Sequence, residues 1–152
     1  MLNTLTGWLK SDKTLPQAPA ARHELAATVA ELLVEAGLAD GDLGAEEEAL
    51  IAHVIAEQYD LPDAEVAELL HAAIDASDER IELHGLTSKL RAECDYEDRI
   101  DVLMMVWMIV LSDAVVDKIE SQLMRRLAGL LYVSDVDSGR AQKTARARLG
   151  LV

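Results

Sequence analysis

Residues from the first half of this chain recur in the same order and chemical type in the second half. The matching pairs are Asp40 and Asp113, Leu43 and Val116, Glu47 and Glu120, Val54 and Leu127, and Tyr59 and Tyr132; after a one-residue slip, Pro62-Asp63 falls on Ser134-Asp135. The repeat predicts that a unit of helix, acidic turn, helix, turn and helix occurs twice. We expect the two units to pack about a pseudo-twofold axis, because each alone has too small a core to be stable.

Helical spacing of apolar residues extends along the rest of the chain, and the composition agrees with it. Aromatic residues make up only 3% of the 152 residues, while Ala, Leu and Glu are abundant, and this mixture favours helices over strands. We therefore predict an all-α domain of about seven helices in two pseudo-symmetric halves. The predicted spans are Arg22–Ala39, Ala45–Tyr59, Pro62–Ser77, Leu83–Ala92, Tyr96–Leu111, Asp117–Tyr132 and a last helix that Ser134 and Asp137 cap. The fifth is apolar on most faces and should lie at the centre of the bundle.

The first twenty residues differ from the rest of the chain. Leu2, Leu5, Trp8 and Leu9 lie at the spacing of a short amphipathic helix, and Pro16 and Pro19 then mark a linker. We expect residues 1–20 to form this helix and linker and residues 21–152 to form the helical domain. The short helix packs on its own domain in our preferred interpretation, and contacts a membrane surface in the alternative.

Net charge and cysteine content limit the classes of partner and compartment. The formal charge of −14 repels phosphate backbones, so nucleic acid is not expected as a partner, and it attracts cations. A single cysteine, Cys94, permits no internal disulfide, which suits a reducing compartment. The sequence has no secretory signal, and its longest apolar run, Val102–Leu111, is too short to cross a bilayer. We therefore expect a cytoplasmic protein.

Four acidic residues of the repeat are the candidate functional groups: Asp40, Glu47, Asp113 and Glu120. In each half an Asp closes one helix and a Glu lies about one turn into the next. If the pseudo-axis passes near both turns, the four carboxylates converge, and their repulsion is relieved by a bound cation or proton. Oxygen ligands suit calcium, magnesium or manganese. The alternative is that these acids cap helix ends and bind no metal.

Enzyme chemistry finds little support in the sequence. A di-metal oxidase site needs Glu-x-x-His pairs on two facing helices, and the chain has a single such sequence, Glu68-Leu69-Leu70-His71. The second His of a zinc-protease motif is also absent, because Ala27 stands where it would follow His23. Cys94 has no His partner nearby in the sequence and is interpreted as a buried thiol. No catalytic residue is predicted.

Two segments resemble the signatures of the TerB family of tellurite-resistance-like proteins. The first is Leu32–Gly41 followed by Glu47, and the second is Tyr96–Arg99 leading to Trp107, Ser112-Asp113 and Glu120. The resemblance covers about Arg22 to Arg148 and is strongest to the short single-domain bacterial branch. It departs from the family pattern at Ala114, where Gly is usual, and at Gly44, where an acid is common.

The resemblance implies an all-α fold of about seven helices and a metal cluster at the positions of Asp40, Glu47, Asp113 and Glu120. It also implies an association with tellurite and other stress responses, and no enzyme activity. We therefore expect a non-enzymatic binding or scaffold protein that takes a divalent cation, with calcium, magnesium, manganese and zinc as candidates, and that recognises a protein partner. The alternative is a metal-free interaction module whose acids are helix caps. The oligomeric state stays open.

Overall fold

Seven α-helices and one short 3-10 helix make up the described part of the chain, which contains no strand. The computed structural model describes residues 19–39, 41–77, 83–113 and 118–151, with the backbone alone at 19, 113 and 118–120. The helices are α1 (Pro19–Gly37), α2 (Ala45–Tyr59), α3 (Asp63–Ser77), α4 (Leu83–Glu93), α5 (Tyr96–Val110), a 3-10 helix (Leu111–Asp113), α6 (Lys118–Leu130) and α7 (Asp135–Arg148). The predicted all-α class and the number of helices are confirmed.

Predicted and observed helix ends differ by a few residues. The linker was predicted to reach Ala20, but α1 already begins at Pro19. A proline fits there because the first residues of a helix have no intrahelical use for their N–H groups. The predicted N-terminal helix, together with most of the predicted linker, lies outside the described residues, so the division of the chain at residue 20 stays a prediction. In the described residues, no helix is long and apolar enough to span a membrane.

Helix α5 forms the centre of the core, as its sequence predicts. Every residue from Val102 to Leu111 is buried, and Leu103 and Met105 are fully so. A helix that is apolar on all faces must be surrounded by other helices, whereas the outer helices bury one face only. Met104, Met108 and Trp107 are buried with it and fill the core.

Corresponding helices make corresponding contacts in the two halves. The most extensive pairings are α5 with α7 and α1 with α3, and α1 also packs against α5. Leu25, in the first half of α1, lines a cleft together with Asp98, the third residue of α5. At the other end, a Cβ on Gly37 of α1 would lie 3.7 Å from Cγ2 of Ile109 in α5. The two helices therefore run side by side in the same direction.

One pairing of the repeat, Tyr59 with Tyr132, is wrong. Asp60 and Tyr132 both adopt left-handed backbone conformations, with φ of 53° and 57°. The hydrogen bond from Leu61 N to Ala56 O likewise has its counterpart in the bond from Val133 N to Ala128 O. Helices α2 and α6 both end in this C-terminal motif. In α6 the left-handed residue comes one position earlier than the pairing of Tyr59 with Tyr132 requires. The slip thus precedes the tyrosines, so Tyr132 corresponds to Asp60 and is 67% exposed, whereas Tyr59 is buried.

Helix α7 begins at the predicted cap and is attached to α5. Ser134 Oγ accepts a hydrogen bond from the backbone N–H of Asp137. The Tyr96 hydroxyl donates to Asp137 Oδ2 at 2.6 Å, and Arg140 donates to Oδ1 at 2.7 Å. These two hydrogen bonds hold the pKa of Asp137 below its usual value, and the bond from Tyr96 has the larger effect.

Candidate functional site

Three of the four predicted acids have a described backbone position, and each of the three lies near a helix end. Glu47 is the third residue of α2, and Glu120 is the third residue of α6. Asp113 ends the 3-10 helix that follows α5. Asp40 is outside the described residues, and the side chains of Asp113 and Glu120 are outside them as well. The backbone therefore places three of the four positions, and Glu47 is the one of the four whose side chain lies within the described residues.

The carboxylate of Glu47 has a local structural role. Its Oε1 accepts a hydrogen bond of 3.1 Å from the backbone N–H of Gly44, the residue that precedes α2. This is half of a capping box, since glycine has no side chain to return the bond to the N–H of Glu47. The second oxygen, Oε2, lies 3.9 Å from the position that a Cβ on Gly37 would occupy. Glu47 thus caps the start of α2 and lies close to the end of α1.

Glycine at two positions shapes the turn between α1 and α2. A Cβ on Gly37 would lie only 2.5 Å from Cδ1 of Leu43, so the missing side chain lets Leu43 fold back over the end of α1. Gly41 has a φ of +131°, a conformation that is strained for any residue with a side chain. The turn therefore returns the chain sharply and starts α2 beside the end of α1.

The acidic turns of the two halves leave the bundle at neighbouring points. Gly37 ends α1, Val110 ends α5, and the Cβ position of Gly37 is 3.7 Å from the side chain of Ile109. The turn that contains Asp40 and the 3-10 helix that contains Asp113 both start from this end of the bundle. Within the described residues, no three His, Cys, Asp or Glu side chains form a group that could hold a metal ion. Because three of the predicted ligands fall outside the described side chains, the four-acid cluster stays a prediction.

A second group of polar residues, which the sequence analysis did not identify, lies at the opposite end of α1 and α5. It forms a narrow cleft with room for about one water molecule. The lining residues are Leu25, Gln58, Tyr59, Cys94, Asp98, Asp101 and Val102. The spacing Asp95-x-x-Asp98-x-x-Asp101, directly after Cys94, is the sequence signal that could have found it, because it repeats carboxylates along one side of the first turns of α5.

Burial changes the protonation of this cleft. Burial, together with the nearby carboxylate of Asp95, raises the pKa of Asp98 to about 6, and Asp98 Oδ1 is buried with no hydrogen-bond partner. Burial also raises the pKa of the Cys94 thiol to about 12, with Asp98 adding to the effect. A thiol with such a pKa is protonated at neutral pH and is a poor nucleophile. The interpretation of Cys94 as a buried thiol is confirmed.

The substitution Asp98→Asn should stabilise the protein at neutral pH. Because the pKa of Asp98 is raised in the folded state, its ionisation costs stability as the pH rises from about 4 through about 6. Removing the charge should raise the free energy of unfolding at pH 8 by about 1 kcal/mol, a figure that allows for solvent screening at this half-buried site. Urea unfolding at pH 4 and pH 8 measures this, and the gain should disappear at pH 4. Glu97→Gln, an exposed neighbour with the same change of charge, is the control; an equal gain there would contradict the assignment to Asp98.

The histidines form no site. All four are exposed, and three lie within ion-pair distance of a carboxylate: His23 of Glu65, His53 of Glu57 and His71 of Asp75. His53 and His71 contact an acid one helical turn away, the usual arrangement on a solvated helix face.

Comparison with known proteins identifies a family for this chain. The model of the family described as tellurite resistance protein TerB matches residues 25–143. No curated protein and no solved structure matches the chain. The family match begins in α1 and ends in α7, so it includes all seven helices and both acidic turns. The chain therefore belongs to the TerB family.

Proposed function

We propose that this protein is a non-enzymatic binding module that holds one divalent cation between its two halves. Asp40 and Glu47 from the first half and Asp113 and Glu120 from the second would supply the oxygen ligands. Calcium, magnesium and manganese prefer such ligands, and zinc also accepts carboxylates. The cation would join the turn after α1 to the turn after α5 and so fix the relative position of the halves.

The observation that carries this proposal is the side-by-side ending of α1 and α5. Because α1 and α5 end next to each other, both acidic turns start at the same end of the bundle. The four carboxylates can meet only if the turns start close together in this way. The partial neutralisation of four like charges by a cation would remove a repulsion that otherwise destabilises the fold. The resemblance of the two segments to the TerB signatures, which implies a metal cluster at these four positions, also supports the proposal.

The alternative function is a metal-free interaction module whose acids are helix caps. The hydrogen bond from Gly44 N to Glu47 Oε1 favours it, because a carboxylate at this position contributes to stability without any metal. The two proposals are compatible at Glu47 itself, since capping uses Oε1 alone and leaves Oε2 for a ligand bond. The two proposals differ in the effect that they predict when the negative charge of Glu47 is removed.

Two substitutions of Glu47 separate the alternatives. Glutamine keeps an oxygen acceptor for Gly44 N and removes the charge, whereas alanine removes both. If Glu47 is only a cap, Glu47→Gln should be nearly as stable as the parent, and Glu47→Ala should lose about 1 kcal/mol. If Glu47 is a ligand, both variants should also lose most of the cation affinity.

Calorimetric titration of chelator-treated protein with each of the four cations measures that affinity. The expected result is saturable binding of about one cation per chain, weakened at least tenfold in Glu47→Gln and in the double variant Asp40→Asn/Asp113→Asn. Glu57→Gln, an exposed residue of the same helix, is the matched control and should bind as the parent does. Equal binding by all variants, or no binding by the parent, would contradict the metal proposal and favour the capping alternative.

The proposal assigns no catalytic step to the protein. The buried, protonated thiol of Cys94 and the dispersed surface histidines support this view, because neither offers an activated nucleophile or base. We propose that the biological setting is the stress response that the family name indicates. Cells that lack the protein should then be more sensitive to tellurite, and the double variant should fail to restore resistance.

A further inference from the structure

The outer helices of the two halves carry matching exposed stripes with different charge. The α3 stripe comprises Asp60, Ala64, Glu68, His71 and Asp75, and the α7 stripe comprises Tyr132, Val136, Arg140, Lys143 and Ala147. Each residue of one stripe corresponds in the repeat to the residue in the same place of the other, and all ten are exposed. Glu68 thus corresponds to Arg140, and His71 to Lys143. The α3 stripe has three acids and no Lys or Arg, while the α7 stripe has two bases and no acid.

This contrast extends well beyond the stripes. No Lys or Arg occurs between His23 and Glu79, a segment that includes α2, α3 and most of α1. Arg125, Arg126 and Arg148 add to the exposed bases of α6 and α7. In a protein of net charge −14, one outer helix thus carries an exposed basic surface and another carries an exposed acidic one. The molecule is therefore strongly polarised.

The α7 stripe also has the character of a contact surface. Tyr132 and Val136 are 67% and 74% exposed and are the exposed large hydrophobic residues of the described part of the chain. The guanidinium of Arg91 lies 4.3 Å from the ring centroid of Tyr132 and donates a hydrogen bond to Leu130 O, which fixes the ring in place. A held tyrosine next to arginine is typical of residues that contribute most to protein interfaces. No described residue covers this stripe.

We propose that the α7 stripe of one copy of this chain docks on the α3 stripe of a second copy. The occupant is inferred from charge complementarity. The chain itself carries an acidic stripe on α3 whose charges are opposite to those of the basic stripe on α7. The contact joins two different surfaces, so it is head-to-tail and continues to further copies as a ring or an open chain. This inference is independent of the proposed cation site, whose suggested ligands belong to the two acidic turns and the helix starts that follow them.

A second copy fits better than a polyanion. A nucleic acid or an anionic membrane would meet the repulsion of the whole molecule, and it would leave the acidic α3 stripe without a role. At about 0.15 M salt the Debye length is about 8 Å, so the net charges of two copies are screened while contacts between the stripes persist. One helix face on another buries a small area, and the association should accordingly be weak and reversible.

Sedimentation velocity across a concentration series at about 0.15 M salt tests this inference. The weight-average sedimentation coefficient of the parent should rise with concentration up to about 1 mM and should stay constant at about 1 M salt. A coefficient that does not change with concentration at either salt level would overturn the proposal. Binding of the parent to anionic lipid vesicles through α7, without self-association, would overturn it in favour of a membrane.

Charge exchange provides the specific control. Glu68→Lys/Asp75→Lys makes both stripes basic, and Arg140→Glu/Lys143→Glu makes both acidic, so neither double variant should self-associate. An equimolar mixture of the two should associate again, because each variant supplies the charge that the other lacks. If net charge alone governed association, the first double variant, which is less negative than the parent, would associate more strongly, and the proposal would fail. Glu97→Lys, exposed at the start of α5, should behave as the parent, and circular dichroism should confirm that every variant is folded.

Discussion

Replacing Leu103 with alanine should lower the free energy of unfolding by about 3 to 5 kcal/mol. Leu103 is fully buried in the middle of α5, where the surrounding helices leave little freedom to collapse into the cavity. Such a loss is a large share of the stability of an ordinary domain, so the variant should be partly unfolded near physiological temperature. Urea unfolding followed by circular dichroism and by tryptophan fluorescence measures the change.

The shape of the transition is as informative as its midpoint. Because α5 packs against α1 and α7, which belong to different halves, both halves should lose their structure together and the two probes should coincide. Two separate transitions would contradict a shared core. Val136→Ala removes apolar atoms from an exposed residue and should change the stability by less than about 0.5 kcal/mol.

Saturation with the cation that the four acids prefer should produce the second large effect, a rise in melting temperature. A ligand that binds the folded state alone, at about 100 times its dissociation constant, adds about 2.7 kcal/mol of stability. For a domain of this size the corresponding rise is about 5–10 °C. Thermal melts of chelator-treated protein, titrated separately with calcium, magnesium, manganese and zinc, measure it.

The double variant Asp40→Asn/Asp113→Asn is the test within that experiment. It should melt at or above the temperature of the metal-free parent, because two repelling charges are gone, and it should not respond to any cation. A rise that persists in the double variant would place the cation elsewhere. No rise in the parent with any of the four cations would favour the capping alternative.

The regular parts of the fold could be predicted from the sequence, because each depends on a local pattern. The helix that starts at Tyr96 is apolar on most faces, which predicts a central helix, and Ser134 with Asp137 predicts the start of α7. The helix ends are harder to predict, since they depend on backbone geometry. Asp60 and Tyr132 share a left-handed conformation that no residue type signals, and the resemblance of two tyrosines led to the wrong pairing.

In the candidate sites, too, the local sequence pattern identified the residues, whereas their contacts and burial depend on the folded structure. Repeat spacing identified Glu47, but its hydrogen bond to Gly44 depends on the tight turn between α1 and α2, in which Gly41 has a φ of +131°. The cleft around Asp98 draws its walls from three segments that are distant in the sequence, namely the starts of α1 and α5 and the end of α2. Its acids were visible in the sequence, but their burial depends on tertiary packing, and burial is the main cause of the raised pKa of Asp98.

The side-by-side course of α1 and α5 also determines how the two halves can diverge over evolutionary time. Residues on the surface shared by these helices contact both copies of the repeat, so a change in one copy must be matched in the other. The outward faces of α3 and α7 have no such constraint, and there Glu68 and Arg140 now differ in sign. A duplicated unit that shares its inner helices can thus retain one ancestral fold while its two outer surfaces acquire separate and even opposite specificities.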